Sequence, residues 1–206
     1  MKTLVALSIA FALPLVLPSL ALALGDPALA QPAPPFSVLG HDGKVYALDQ
    51  LKGHPVVLEW MNPGCPFSKA QYDAGAPQGL QKKYAAKGVV WLSVDSSAEG
   101  RQGYLPDAAA AAAFLKQRGA APSALVRDTE GSLGQLYGAK TTPHYFIIDA
   151  QGRLAYKGAA DDHASAEPSE VKQSNSYVAA ALDALLAGRK VALSQTKPYG
   201  CGVKYK

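Results

Sequence analysis

Cysteine is the scarcest reactive side chain here, with Cys65 and Cys201 the only two in 206 residues. Two cysteines exclude a disulfide scaffold, because small secreted folds that rely on staples carry more of them. They leave either one long-range bridge or a redox pair. Charge of one sign is lacking too. The 20 Lys and Arg against 16 Asp and Glu give a net charge of +4. These bases are scattered, and Lys197, Lys204 and Lys206 are too few to build a nucleic-acid surface. No nucleic-acid partner and no cofactor are expected. Beyond Leu24 no stretch is long and apolar enough to cross a bilayer.

The chain does contain a secretory start. Met1-Lys2-Thr3 precedes an apolar run from Leu4 to Leu24, and Ala28-Leu29-Ala30 offers small residues for a signal peptidase. Residues 1–30 are therefore expected to be a signal peptide cleaved after Ala30, which points to a periplasmic or secreted location. Pro14 and Pro18 argue against a regular spanning helix, so a membrane becomes a partner only if this segment is retained. Residues 31–35 are Pro-rich and read as a linker, 36–190 as one domain, and 191–206 as a tail carrying Cys201.

The organising stretch is Val56-Val57-Leu58-Glu59-Trp60-Met61-Asn62-Pro63-Gly64-Cys65-Pro66-Phe67-Ser68. Its apolar, β-branched start predicts a buried strand, and Asn-Pro-Gly predicts a turn that hands over to a helix at Cys65. A thiol there meets the positive end of the helix dipole and unpaired N–H groups, which favour the thiolate. Pro66 suits the first helical turn. A merely structural, buried cysteine is the competing reading.

Elsewhere the pattern predicts short strands at 36–39 and 45–48, and helix over 67–87 broken at Gly75 and Pro77. Strands follow at 89–94 and 123–126, separated by an alanine-rich helix from Ala108 that Asp107 can cap. A short helix over 133–137 precedes a strand over 141–149, a hairpin partner over 154–157, and an amphipathic helix over 177–186. Asp161, Asp162, His163 and Glu167 are expected to be exposed, and the tail shows no clear element. This order predicts an α/β fold with parallel strands at its centre and an antiparallel hairpin at one edge. Chemistry then belongs at the carboxyl ends of the parallel strands, where Cys65 lies.

Several segments together resemble the thioredoxin-like superfamily, in the extracytoplasmic redoxin branch related to thiol-disulfide oxidoreductases and peroxiredoxins. They are Phe36-Ser37-Val38 with Asp42-Gly43-Lys44, Leu51-Lys52-Gly53-His54-Pro55-Val56-Val57-Leu58, Gly64-Cys65-Pro66-Phe67, and Thr142-Pro143 before Phe146-Ile147-Ile148-Asp149 and Gly152. The resemblance implies a thioredoxin-like fold, with a central mixed sheet, helices on both faces and short strands in an N-terminal extension. It also implies Cys65 as nucleophile, Glu59 as a buried acid that moves protons, and Pro143 as a cis-proline presenting the Thr142 backbone to an incoming peptide.

The departures narrow the chemistry. Thioredoxins place a second cysteine three residues after the first, where this chain has Ser68; peroxiredoxins place a hydroxyl three residues before it, where this chain has Asn62. Asn62 could still hydrogen-bond a peroxide oxygen. The Pro198-Tyr199-Gly200-Cys201-Gly202-Val203 tail resembles that of a peroxiredoxin-like subgroup, which implies Cys201 as the resolving cysteine. The expected function is thiol-disulfide exchange with protein thiols or disulfides, closed by Cys201 and reopened by an external thiol reductant. The alternatives are a thiol peroxidase acting on peroxide, a Cu(I) site from Cys65, His144, Cys201 and Met61, or a non-catalytic module in which Trp60, Trp91 and Tyr145 are simply core. Arg127 and Lys140 read as surface bases that could stabilise developing negative charge.

Overall fold

The computed structural model describes residues 25–206. The expected signal peptide therefore lies largely outside the described residues, among which no helix is long and apolar enough to cross a membrane.

Two short strands, β1 (Ser37–Leu39) and β2 (Val45–Ala47), form an antiparallel hairpin followed by a 3-10 turn at Leu48–Leu51. β3 (Val56–Trp60) leads into α1 (Pro66–Ala74) and α2 (Ala76–Ala85). Gly75, at φ 79°, caps the first of these helices in the left-handed region, and Pro77 falls in the opening turn of the second. β4 (Val90–Asp95) and β5 (Ala124–Arg127) flank α3 (Ala108–Arg118), whose N-terminus is capped by Asp107 through Ala110 N–H at 2.7 Å. α4 (Ser132–Tyr137), β6 (Thr141–Thr142), β7 (His144–Ile148), β8 (Leu154–Gly158), α5 (Pro168–Val171), α6 (Tyr177–Leu186) and β9 (Cys201–Gly202) complete the order.

The central sheet runs β5-β4-β3-β7-β8, with β3, β4 and β5 parallel and β7 and β8 antiparallel to their neighbours. β3 is buried from end to end because both sheet faces are covered, which explains its almost continuous apolar sequence. Leu58, Trp60, Leu92, Val94, Phe146 and Ile148 pack on one face with Phe36 and with Leu133 and Tyr137 of α4. On the other, Val57, Trp91, Tyr145 and Ile147 pack with Tyr84 of α2 and Val178 and Leu182 of α6. Each such side chain contributes roughly 1.5–3 kcal/mol of burial. This is the thioredoxin-like α/β arrangement.

The structure departs from the sequence reading in four places. The strand expected over 141–149 is divided at Pro143, whose preceding peptide bond is cis, so β6 leaves the central sheet. Its partner is β9, in the tail that carried no predicted element; the register pairs Thr141 with Gly202 and Thr142 with Cys201. Asp161 is buried rather than exposed, because Gln71 and Tyr199 donate hydrogen bonds to its carboxylate. The 31–35 segment is tied to the β8 hairpin: Ala33 N–H donates to Gly152 O at 2.9 Å, and Leu154 N–H to Gln31 O at 3.0 Å.

Candidate functional site

β3 ends at Trp60, and Met61 N–H donates to Val94 O, so the chain leaves the sheet beside the end of β4. The turn closes when Cys65 N–H donates to Asn62 O at 3.1 Å, which makes Cys65 the N-cap of α1 with Pro66 at the first helical position. Cys65 is fully buried, 0 % exposed. Its thiol donates to Thr142 O at 3.0 Å. Cys201 stands opposite that same Thr142 in the β6–β9 ladder, so the fold brings together Cys65, Cys201, Thr142 and Pro143. Both cysteines are free thiols, brought together at Thr142.

The two sulfurs are electrostatically unequal. Burial pushes the Cys65 thiol up. Hydrogen bonds from the Cys201 thiol and the Thr142 side chain, with backbone N–H groups of Ser68 and Cys201, outweigh that and bring it below the ordinary thiol value. Cys201 is pushed up to about 11 by burial and by its contact with Cys65. Cys65 is thus the readier thiolate and the better leaving group.

Asn62 clamps the turn. Its Nδ2 donates to Ser97 Oγ at 2.9 Å and Gln102 O at 2.8 Å, and its Oδ1 accepts Gly64 N–H at 2.6 Å. Gln102 Nε2 returns a bond to Gly64 O at 2.8 Å. Asn62 is 2 % exposed and both ends of its amide are engaged, so it does not offer a peroxide the donor that the sequence suggested. Ser68, where a thioredoxin has its second cysteine, accepts Asn62 N–H at 3.3 Å.

Glu59, 1 % exposed, faces inward beneath α1 and α2. Five donors converge on its carboxylate: Trp91 Nε1 at 2.7 Å, Ser93 Oγ at 2.8 Å, Tyr72 OH at 3.0 Å, Tyr145 OH at 3.2 Å and Gln81 Nε2 at 3.3 Å. Ser93 and Tyr145 are its direct cross-strand partners, so sheet register assembles the shell. Burial raises the Glu59 pKa, and the donors work against that rise.

The copper grouping does not assemble. Among the described residues no three His, Cys, Asp or Glu side chains are arranged to hold a metal ion. The buried His144 ring packs on Phe146 at 4.4 Å and accepts Lys140 N–H at 3.2 Å. Burial, with Lys140 nearby, pushes its pKa down to about 3. Arg127 is spent on the carbonyls of Leu105 and Pro106.

Sequence reasoning missed the tail's anchors. Tyr199 OH donates to Asp161 at 2.6 Å, Gln71 Nε2 donates to Tyr199 OH at 3.0 Å, and the Phe67 ring packs against it at a tilt, with centroids 6.0 Å apart. Tyr205 OH donates to Ala139 O at 2.8 Å, with its ring against Gly131 and Gly134. Gly134, inside α4, was the available signal, since glycine does not suit a helix interior.

The redoxin family model matches residues 28–174. The chain belongs to the redoxin family. This redoxin is 26 % identical over 147 residues to the thiol:disulfide interchange protein DsbE of Escherichia coli strain K12, covering 70 % of this chain and 72 % of that protein. It is 28 % identical over 119 residues to the Pasteurella multocida protein of the same name, covering 57 % and 58 % respectively. In three dimensions it is similar to a hypothetical protein from Sinorhizobium meliloti 1021, with TM-score 0.74, 24 % identity and coverage of 89 % of this chain and 97 % of that one. An uncharacterised conserved protein from Geobacillus kaustophilus gives TM-score 0.73 and 29 % identity over 87 % of this chain and 93 % of that one. The redoxin is a thioredoxin-fold redox protein of the thiol-disulfide class, with its two cysteines side by side.

Proposed function

We propose that this redoxin catalyses thiol-disulfide exchange with protein partners, with Cys65 as nucleophile and Cys201 as resolving cysteine. The Cys65 thiolate attacks one sulfur of a partner disulfide, forming a mixed disulfide and releasing a partner thiolate. Cys201 then loses its proton and attacks Cys65 Sγ, which releases the second partner thiolate and closes a Cys65–Cys201 disulfide. Two electrons pass to the partner, and an external thiol reductant restores both thiols. The observation that carries this reading is the shared contact of both cysteines with Thr142.

Thr142 orients the nucleophile through its carbonyl and aligns Cys201 through the ladder, while Pro143 turns the chain away beneath them. Glu59 serves as the internal proton store: burial favours its neutral form, five donors favour its anion, and the opposition keeps the proton movable. A disulfide is favoured over peroxide because Asn62 and Arg127 are already engaged. The work takes place in the periplasm or secreted space, where two thiols can cycle against an oxidising pool.

The test is to treat the reduced protein with one equivalent of an oxidised peptide disulfide or of hydrogen peroxide, quench within seconds, and map peptides without reduction. A Cys65–Cys201 peptide that forms faster with the disulfide, and reopens with a dithiol, is expected. Cys65 converted to sulfinate with no link to Cys201 would overturn the assignment.

A further inference from the structure

Cys65 has no exposed surface, and the covering segment includes Cys201. That cover is held at several points. Thr196 Oγ1 accepts Ala159 N–H at 2.8 Å, Val203 N–H donates to Lys140 O at 3.2 Å, and Ala98 N–H donates to Lys204 O at 2.9 Å. Tyr199 and Tyr205 pin the tail on either side of Cys201. The fit beside Thr142 is close: a Cβ on Gly200 would lie 2.2 Å from Thr142 O, and Gly200 has φ 114°. The seat for Tyr205 is shaped as closely, since a Cβ on Gly131 would meet its ring at 2.7 Å and one on Gly134 its hydroxyl at 2.4 Å.

The contacts at the sulfur itself are few. β6 and β9 contribute two residues each, and backbone pairing does not depend on side-chain identity. A second extended strand carrying a cysteine could make the same bonds, but only in the place that Cys201–Gly202 occupies. The tethered tail has the advantage of high effective concentration.

We propose that residues 199–206 form a seated cover that stands in for a substrate strand, so that an extended, cysteine-bearing segment of a partner protein reaches Cys65 only by displacing it, with Tyr199 and Tyr205 governing release. This inference rests on the exchange reading above and adds to it the step that admits the partner. Tyr199 and Tyr205 are positioning residues in this scheme.

Full-length Cys201→Ser protein keeps the tail and leaves Cys65 as the single thiol. It should be compared with Cys201→Ser/Tyr205→Ala and Cys201→Ser/Gly134→Ala, the latter disturbing the seat from the opposite side. Two probes are used on each: iodoacetamide, and a short peptide whose cysteine is a mixed disulfide with 5-thio-2-nitrobenzoate, which releases a coloured thiolate when attacked. Loss of the tyrosine's hydrogen bond and ring contacts should speed both reactions by about tenfold or more. That gain should persist with little dependence on low urea, as local opening requires and global unfolding does not. Rates within about twofold of the Cys201→Ser protein, or a gain that rises steeply with urea, would overturn the cover. Faster alkylation without release of the coloured thiolate would leave the cover standing and remove the nucleophile assignment instead.

Discussion

Thr142 is shared by both cysteines: its carbonyl oxygen accepts the Cys65 thiol at 3.0 Å while Cys201 stands directly opposite it in the β6–β9 ladder. One residue thus fixes the direction of the Cys65 thiol and the register of Cys201. The same carbonyl favours the protonated form of Cys65, since a thiolate has no proton to give it. Ionisation therefore transfers the sulfur's bonding to its donors: Cys201, the Thr142 side chain and the N–H groups of Ser68 and Cys201.

Titration should separate the two sulfurs. Thiolate absorbance of the reduced protein is expected to rise in two steps, one below the ordinary thiol range and one near 11. Being a coupled pair, the steps belong to the two thiols jointly. Cys201→Ala removes a donor from Cys65 but leaves it buried, so the lower step should move upward. Two indistinguishable steps near the ordinary value would show that the thiols do not interact.

Asn62→Ala should loosen the turn that carries Cys65. It leaves Gly64 N–H, Ser97 Oγ and Gln102 O without the partner they have now, at a cost of about 1–3 kcal/mol. Urea unfolding should show the loss, and closure of the Cys65–Cys201 disulfide should slow. Unchanged stability would mean that water replaces the carboxamide.

Glu59→Gln preserves volume but turns an NH2 group toward donors. Trp91 Nε1 and Gln81 Nε2 donate to the same oxygen and cannot accept, so the amide oxygen must take that place. The NH2 then faces the Tyr72 and Tyr145 hydroxyls, which have to turn from donating to accepting. Exchanging charge-assisted for neutral hydrogen bonds should cost about 1 kcal/mol. Thermal unfolding reads that cost. If Glu59 also stores a proton, the pH profile of disulfide closure should lose a limb, a change that a purely structural role would not produce.

Asp95 should give stability a pH slope. Burial raises its pKa to about 7, against the opposing Ser97 hydrogen bonds, whereas in the unfolded chain it is about 3.9. Between these values the native state holds a proton that the unfolded state has lost. Its contribution therefore falls as pH rises through that window and is level above it. Asp95→Asn should flatten this part of the curve in denaturation series run at several pH values. A slope identical to the parent's would assign it elsewhere.

The N-terminal segment should matter to the buried Lys157. Its ammonium donates to Asp26 at 2.5 Å and to Pro27 O at 3.0 Å. A protein beginning at Gln31 loses both, and should be less stable than one beginning at Gly25 by about 1–3 kcal/mol. Equal unfolding midpoints would show that water reaches the amine. Mass measurement of the exported protein would locate the actual cleavage site relative to Ala30.

Local physics made much of the fold readable. The apolar Val56–Trp60 run, the Asn-Pro-Gly turn, Gly75 as a helix stop and the Asp107 cap each signal their role within a few neighbouring residues. What the sequence concealed depends on distant partners. Asp161 looks like a solvated carboxylate until Gln71 and Tyr199 arrive from α1 and the tail. Asn62 looks available until the loop bearing Ser97 and Gln102 closes over it. His144 looks like a ligand until the sheet buries it against Phe146. Cys65 announced itself by its turn; the burial of its sulfur beneath residues far along the chain did not.

Gly134 carries a conflict between a helix and a tyrosine. Replacing a glycine inside an exposed helix by alanine ordinarily gains about 1 kcal/mol. At this position the new methyl would lie 2.4 Å from Tyr205 Oη and 2.9 Å from Ser96 Oγ. α4 thus keeps a weak helix former in its interior, and the space so left is filled by an aromatic ring from the other end of the sequence. A substitution that ordinarily stabilises a helix would here act at a distance, by displacing the ring that fastens the last residues of the chain.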